Sequence, residues 1–395
     1  MEQSVDVGIV RAKELKVIFK GTYTKEGKEF KGERTMTLQD IGSVFLPKDE
    51  NCSFTLKDVV IGIGFHWERN EDQTFCGALK LIEEEGMIRA VNIVPIETYL
   101  TSVISSEMSA NASIELLKAH AVISRSWVLS MIDKAKASKE GKAASANHEI
   151  LSEGTIIRWY DSEAHTAFHV CADDHCQRYQ GITRQSNPNV VEAIKETRGQ
   201  VLTYNNIICD ARFSKCCGGM MEEFQYCWEN IKHPYLVAKP DPYCNTRDKR
   251  ILSQVLNNYD QETTDFYRWN VTYEADELSE LIKRKSGIDF GKIQELIPVE
   301  RGASDRIVML KIVGEKRTVI VGKELEIRKW LSESHLYSSA FEVEKTDDGF
   351  ILHGKGWGHG VGLCQIGAAV MGDQGIPYRE ILSHYYPNAN IETRW

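Results

Sequence analysis

The 395-residue chain contains no run of about 18 apolar residues, so nothing in it reads as a membrane-spanning helix. Its opening, MEQSVDVGIVRAKELK, lacks the apolar core and cleavage site of an export signal. Two expectations follow: a cytoplasmic protein, or an exported one whose signal is not part of this sequence. An excess of positive charge is also missing. With 48 Lys and Arg against 57 Asp and Glu, the net charge is −9, and nucleic acid is excluded as the expected partner because phosphate binding needs a basic face. An uncharged or glycan-like ligand survives that test. Cysteine is sparse. The ten residues amount to about one in forty, too few for a disulfide scaffold in so long a chain, although most fall between 171 and 244.

What is present is ordinary globular material, 42% hydrophobic and 27% charged, long enough for two or three domains. The first ninety residues are β-rich. Val5 to Ile9 and Leu15 to Phe19 alternate apolar and polar residues, Val59 to Phe65 and Ala78 to Ile82 are denser apolar runs, and Val91 to Val94 follows. The stretch from Glu97 to Ser130 then organises the chain. Ser109, Asn111 and Ser113 are candidate helix caps, and Ile114, Leu117, Ala121, Ile123 and Val128 form one buried helical stripe. Lys118 and Arg125 lie seven apart on another stripe, with Glu107 just ahead of the helix that carries them. An acid so placed is either part of an ion-pair network or the acid of an active site.

Residues 134–149 are Ala/Lys-rich and read as an exposed connection or a frayed helix end. In the segment from His165 to Tyr179, Cys171, His175 and Cys176 bring soft sulfur and imidazole donors within six residues, as a zinc site requires. The spacing matches no standard finger, and a fourth ligand would come from His169 or from Cys216 and Cys217. A local disulfide, or buried thiols beside a structural histidine, fits the spacing equally well. A strand-like Ala211 to Ser214 leads through Lys215, Cys216 and Cys217 to Gly218-Gly219, which permits close approach of backbone. The Pro- and Tyr-rich stretch 234–244 marks a boundary or crossover. Beyond it lie a strand at 268–273, a helix from Ala275 to Lys285, a hairpin around Gly314-Glu-Lys and a helix from Glu324 to Ser332. The last feature, GKGWGHGVGLCQIGAA from Gly354, is too rich in glycine for a helix and reads as a tight loop. Trp357 offers a flat face to a sugar, and His359 and Gln365 offer hydrogen bonds. A packing corner around a core histidine is the other reading. The spacing is neither a phosphate loop nor a dinucleotide fingerprint, and no HExxH pair supports a zinc hydrolase.

Two of these stretches carry a family resemblance. ETYLTSVISSEM with IELLKAHAVISRSW resembles the opening signature of the SpoIID/LytB family of exported bacterial proteins that act on peptidoglycan, and GWGHGVGLCQIGAA resembles its second. The similarity extends over about residues 75–395, taking in VCADDHCQRY and the closing YREILSHYYP with Tyr385. Departures are Ser109 where proline is usual, Cys216-Cys217 where small hydroxyl residues are common, Cys364 for serine and Ile366 for an aromatic residue. The implied fold is α+β: a β-rich N-terminal region at 1–88, a mixed α/β catalytic core with a cleft beginning at 89–245, a smaller α+β unit at 246–345, and the core's closing part at 346–395. The two signatures are expected to wall one cleft.

The implied activity is lytic transglycosylation of the bond between N-acetylmuramic acid and N-acetylglucosamine, with Glu107 as general acid/base and no cofactor in the chemistry. Lys118, Arg125, His175, Lys215, Trp357, His359, Gln365 and Tyr385 are the expected substrate-binding residues. Cys171 and His175, with Cys176, are the expected holders of a structural zinc ion. The expected partners are glycan strands of peptidoglycan and a cell-wall amidase, the expected location outside the cytoplasmic membrane. A non-catalytic amidase enhancer is the alternative within the same family.

Overall fold

The computed structural model describes residues 2–62, 68–109, 111–139, 149–160, 165–173, 176–184, 187–255 and 265–395. The fold is α+β with a β-rich N-terminal part, and the chain divides into two compact units. The first comprises Met1–Ala143, Ser162–Thr203 and Ile391–Trp395, and the second Ala144–Asp161 and Tyr204–Asn390.

In the first unit the alternating N-terminal sequence makes eight strands, β1 (Ser4–Ala12), β2 (Leu15–Lys25), β3 (Lys28–Met36), β4 (Val44–Pro47), β5 (Ser53–Ile61), β6 (Arg69–Cys76), β7 (Ala78–Glu84) and β8 (Met87–Pro95). Part of the apolar run at 59–65 lies outside the described residues. The sheet runs in the order Val170–Cys171, β1, β8, β7, β4, β2, β5, β6, with β3 on β2. All pairs are antiparallel except that of β1 with Val170–Cys171, where Gly8 lies opposite Cys171. On the inward face Tyr23, Phe54, Phe75, Tyr179 and Tyr99 form a chain of ring contacts with centroids 5.1–6.1 Å apart. That aromatic spine runs from the sheet into helix α1 (Ile96–Glu107). Helix α2 (Ile114–Lys139) follows, capped by Ser113, whose Oγ accepts from the Leu116 N–H at 3.3 Å. Helix α3 (Pro188–Glu196) completes the layer.

One expectation needs correction. Glu107 does not simply precede a helix; it is the last residue of α1, and the helix carrying Lys118 and Arg125 begins seven residues later. The sequence hides α1 because it is buried on most of its circumference, Glu97, Ser102 and Ser106 included, so no polar stripe reveals its period.

The second unit has a five-stranded sheet in the order Ile293–Arg301, Ile307–Gly314, Thr318–Gly322, Thr155–Arg158, Glu149–Ser152. The expected hairpin about Gly314 forms its centre. A three-stranded sheet places Gly349–Lys355 between Arg268–Glu274 and Phe341–Lys345. Helices Ala275–Ser286 and Glu324–Trp330 pack on one continuous core that includes Leu278, Ile282, Leu310, Ile327, Trp330 and Leu352. Gly287 ends the first of them in the left-handed conformation, as a glycine C-cap does.

Candidate active site

Glu107 is half-buried at the C-terminal end of α1. Among the described residues its carboxylate accepts one hydrogen bond, from the Arg178 backbone N–H at 3.3 Å, and pairs with no cation. The segment that supplies this donor is laid along α1 by a series of polar contacts. The Tyr99 hydroxyl donates to Gln177 Oε1 (3.2 Å), the Gln180 N–H to Ser102 Oγ (3.2 Å), and the Tyr179 hydroxyl to Asn92 Oδ1 (2.6 Å). All three bonds are buried, which makes each costly to break.

The Cys/His segment therefore belongs to the same site as Glu107. Cys171 and Cys176 are joined there by His165, the ligand atoms of all three lying within 4.8 Å of one another. His175 lies outside the described residues. His169 is turned elsewhere, its Nδ1 accepting from the Asp6 N–H at 3.0 Å. Two thiols and an imidazole suit zinc and not magnesium or calcium, which prefer oxygen, so the donors present fit the expected ion. All ten cysteines are free thiols in the structure, Cys171 and Cys176 among them. His165 escaped sequence reasoning because its six-residue gap to Cys171 belongs to no standard ligand spacing.

The two cations expected beside Glu107 are engaged elsewhere. Lys118 Nζ pairs with Glu115 (3.0 Å) and with Glu196 of α3 (2.6 Å). Arg125 is fully buried, its guanidinium set against Glu97, with Nη2 2.6 Å from Oε2 and Nε 3.2 Å from Oε1. Burial pushes the Arg125 guanidinium down, and Glu97 opposes that. Glu97 Oε1 also accepts from the Gly199 N–H (3.0 Å) and from Trp395 Nε1 (3.2 Å). This buried pair is a structural hub, and Glu97 is the important residue that the sequence reading passed over.

In the second unit the glycine-rich stretch is a tight loop whose Gly356, Gly358, Gly360 and Gly362 all take positive φ, between 71° and 89°. What approaches it so closely is the protein itself. A Cβ on Gly360 would stand 2.5 Å from Arg306 Cζ, and one on Gly362 would stand 2.0 Å from the Arg212 carbonyl. Arg306 is buried and donates from Nε to the Gly358 carbonyl (3.1 Å) and from Nη2 to that of Cys217 (3.3 Å). Glu222 shapes the turn before it, accepting from Ser304 Oγ (2.6 Å) and the Ala303 N–H (3.0 Å).

The expected binding residues of this unit are spread around the loop. Trp357 packs against Tyr337 and Phe266 with centroids 4.6 and 4.9 Å away. His359 lies against Trp228, and its Nδ1 accepts from the Val361 N–H at 3.0 Å. Burial, reinforced by Arg212 and Arg306, pushes its imidazole well below the usual histidine range, so it is a neutral ring. Gln365 is buried at the start of helix Gln365–Asp373, and Lys215 Nζ donates to the Val255 carbonyl. Tyr385 is fully buried with its hydroxyl on Asp241.

Comparison with known proteins agrees with this organisation. Residues 84–204, which hold Glu107 and the Cys/His cluster, match the family model of the stage II sporulation protein, and residues 222–362 match a domain of unknown function. Stage II sporulation protein D of Bacillus subtilis is 24% identical over 306 residues, covering 77% of this chain and 76% of its own length. An uncharacterized protein of Brachyspira hyodysenteriae is 27% identical over 80% of this chain and 72% of its own. The amidase enhancer of Bacillus subtilis is 28% identical over 74% of this chain but only 40% of that protein. The site region thus lies inside the match to the stage II sporulation protein (SpoIID) family model, and the chain is similar to stage II sporulation protein D over about three quarters of its length.

Proposed function

We propose that the protein is a peptidoglycan lytic transglycosylase with Glu107 as its general acid/base, working outside the cytoplasmic membrane. The observation that carries this reading is the state of Glu107. The neighbouring carboxylates of Glu97, Glu115 and Glu196 are held by cations, whereas Glu107 is half-exposed and, among the described residues, has none. A carboxyl not locked to a cation can exchange a proton with a ligand. In its protonated form Glu107 gives that proton to the glycosidic oxygen as the C1–O bond breaks. The resulting carboxylate takes a proton from the C6 hydroxyl of the muramyl sugar, whose oxygen attacks C1, so no water is consumed and no second carboxylate is needed. A zinc ion held by His165, Cys171 and Cys176 would act structurally, fixing the segment whose Arg178 N–H orients Glu107.

A second reading has its own support. One relative is named an amidase enhancer, which favours a protein that binds glycan without cleaving it. Incubation with glycan strands, intact and stripped of stem peptides, separates the two. The enzyme produces 1,6-anhydro-muramyl ends, and Glu107→Gln lowers their yield by at least about 100-fold with glycan binding retained. Binding without any cleavage by the parent protein replaces the enzyme reading with the enhancer.

A further inference from the structure

A second gathering of cysteines lies in the second unit, in segments distant along the chain. Cys216 and Cys217 follow strand Phe213–Ser214, Cys244 ends the Pro- and Tyr-rich crossover, and Cys364 closes the short strand Leu363–Cys364. That strand pairs in parallel with Phe213–Ser214, placing Ser214 opposite Cys364. Cys217 Sγ lies 3.5 Å from Cys244 Sγ and 3.2 Å from Asp241 Oδ2. The ligand atoms of Cys217, Asp241, Cys244 and Cys364 all lie within 4.8 Å of one another. Each of these residues, and Cys216 beside them, is 2% exposed or less.

Buried thiols alone are unremarkable, because cysteine packs as a small hydrophobe. The carboxylate among them is what needs a partner. Asp241 accepts from the Tyr243 N–H (3.0 Å) and the Tyr385 hydroxyl (3.2 Å), and among the described residues neither Lys nor Arg pairs with it. His384 Nε2 stands 3.9 Å away, beyond hydrogen-bond distance, and its Nδ1 faces the Lys239 ammonium at 3.3 Å. A buried carboxylate with thiols and no cation is an expensive arrangement that a divalent ion resolves. The spacing also suits one: sulfurs about 2.3 Å from a tetrahedral zinc are about 3.8 Å apart.

We propose that Cys217, Cys244, Cys364 and Asp241 bind one thiophilic divalent metal ion, zinc by preference, at a structural site separate from that of Cys171 and Cys176. The ion joins the Gly218-Gly219 turn, the 241–244 crossover and the start of helix Gln365–Asp373, where Cys364 Sγ already caps the Gly367 N–H at 3.5 Å. The site is closed, with four protein ligands, so its role is folding and not chemistry.

The test keeps the two clusters apart. The full chain carrying Cys171→Ser and Cys176→Ser, purified under reducing conditions without chelator, retains about one zinc per chain by elemental analysis. Adding Cys244→Ser and Cys364→Ser removes it. The parent protein supplies a readout free of folding artefacts: thiol alkylation under native conditions, with and without a chelator, mapped by mass spectrometry. Cys217, Cys244 and Cys364 become reactive only after chelation. Cys209 and Cys227, also buried in this unit, stay slow in both and report burial alone. Metal content indistinguishable from zero in the Cys171→Ser/Cys176→Ser protein, alkylation that ignores the chelator, or a Cys217–Cys244 disulfide would each overturn the assignment.

Discussion

At the scale of single residues the first unit turns on Glu97 and Arg125. Glu97 satisfies a buried guanidinium, a buried backbone N–H and a part-buried indole N–H at once. Removing one member of such a pair leaves the other charge buried without a counterion, so Glu97→Gln destabilises the fold by about 3–5 kcal/mol in urea unfolding. The double variant Glu97→Leu/Arg125→Met recovers part of that loss, because no charge is then stranded. A single-variant cost below about 1 kcal/mol would mean that water reaches the pair and that it is an ordinary surface bridge. From sequence Arg125 was visible as a cation on a helical stripe, but its partner sits 28 positions earlier in a helix with no readable period. Glu107 stood out as a candidate because the motif around it is specific.

At the scale of elements the glycine loop was legible as a loop and illegible as to what fills it. Four alternating glycines announce left-handed backbone, yet Arg306, which occupies the space beside Gly360, is 54 positions away with no motif around it. The contrast between Gly360 and Gly375 measures the difference. Both have φ of 74°, but a Cβ on Gly375 meets nothing within 4 Å. Gly375→Ala therefore costs only the left-handed strain of about 1–2 kcal/mol, while Gly360→Ala adds the displacement of Arg306 and lowers the midpoint of thermal unfolding distinctly further. Equal losses in the two variants would show that Arg306 moves aside freely. The second gathering of cysteines was illegible for a related reason, whereas Cys171 and Cys176 stand close enough in sequence to be noticed together. Cys217 and Cys364 are 147 positions apart, and only the parallel pairing of two short strands brings them together.

At the scale of the whole molecule, partly buried histidines contribute to the response to acid. Burial, helped by Arg328, Lys329 and Lys285, pushes His335 down to about 4, and burial with Lys239 does the same to His384. Between that value and the ordinary 6.5 the unfolded chain binds a proton at His335 and the folded chain does not. Its contribution is therefore complete above about pH 6.5 and is lost as pH falls toward 4. Asp241 and Glu222, both pushed up by burial, act in the opposite sense, so the informative quantity is a difference. His335→Gln flattens the fall in unfolding free energy between pH 6.5 and 4 relative to the parent protein. Superimposable profiles would show that His335 is protonated in the folded chain.

The first unit is also discontinuous, and its last strap is Ile391–Trp395. Trp395 Nε1 reaches Glu97 across 298 positions, and the Arg394 N–H bonds the Gly199 carbonyl. At about 5–20 residues per second a ribosome needs about 15–60 s to make the chain between those two partners. Throughout that interval the Arg125 ion pair stands without its indole cover. The unit that carries Glu107 therefore closes only after the whole of Tyr204–Asn390 has been made, although most of its own residues are synthesised before them.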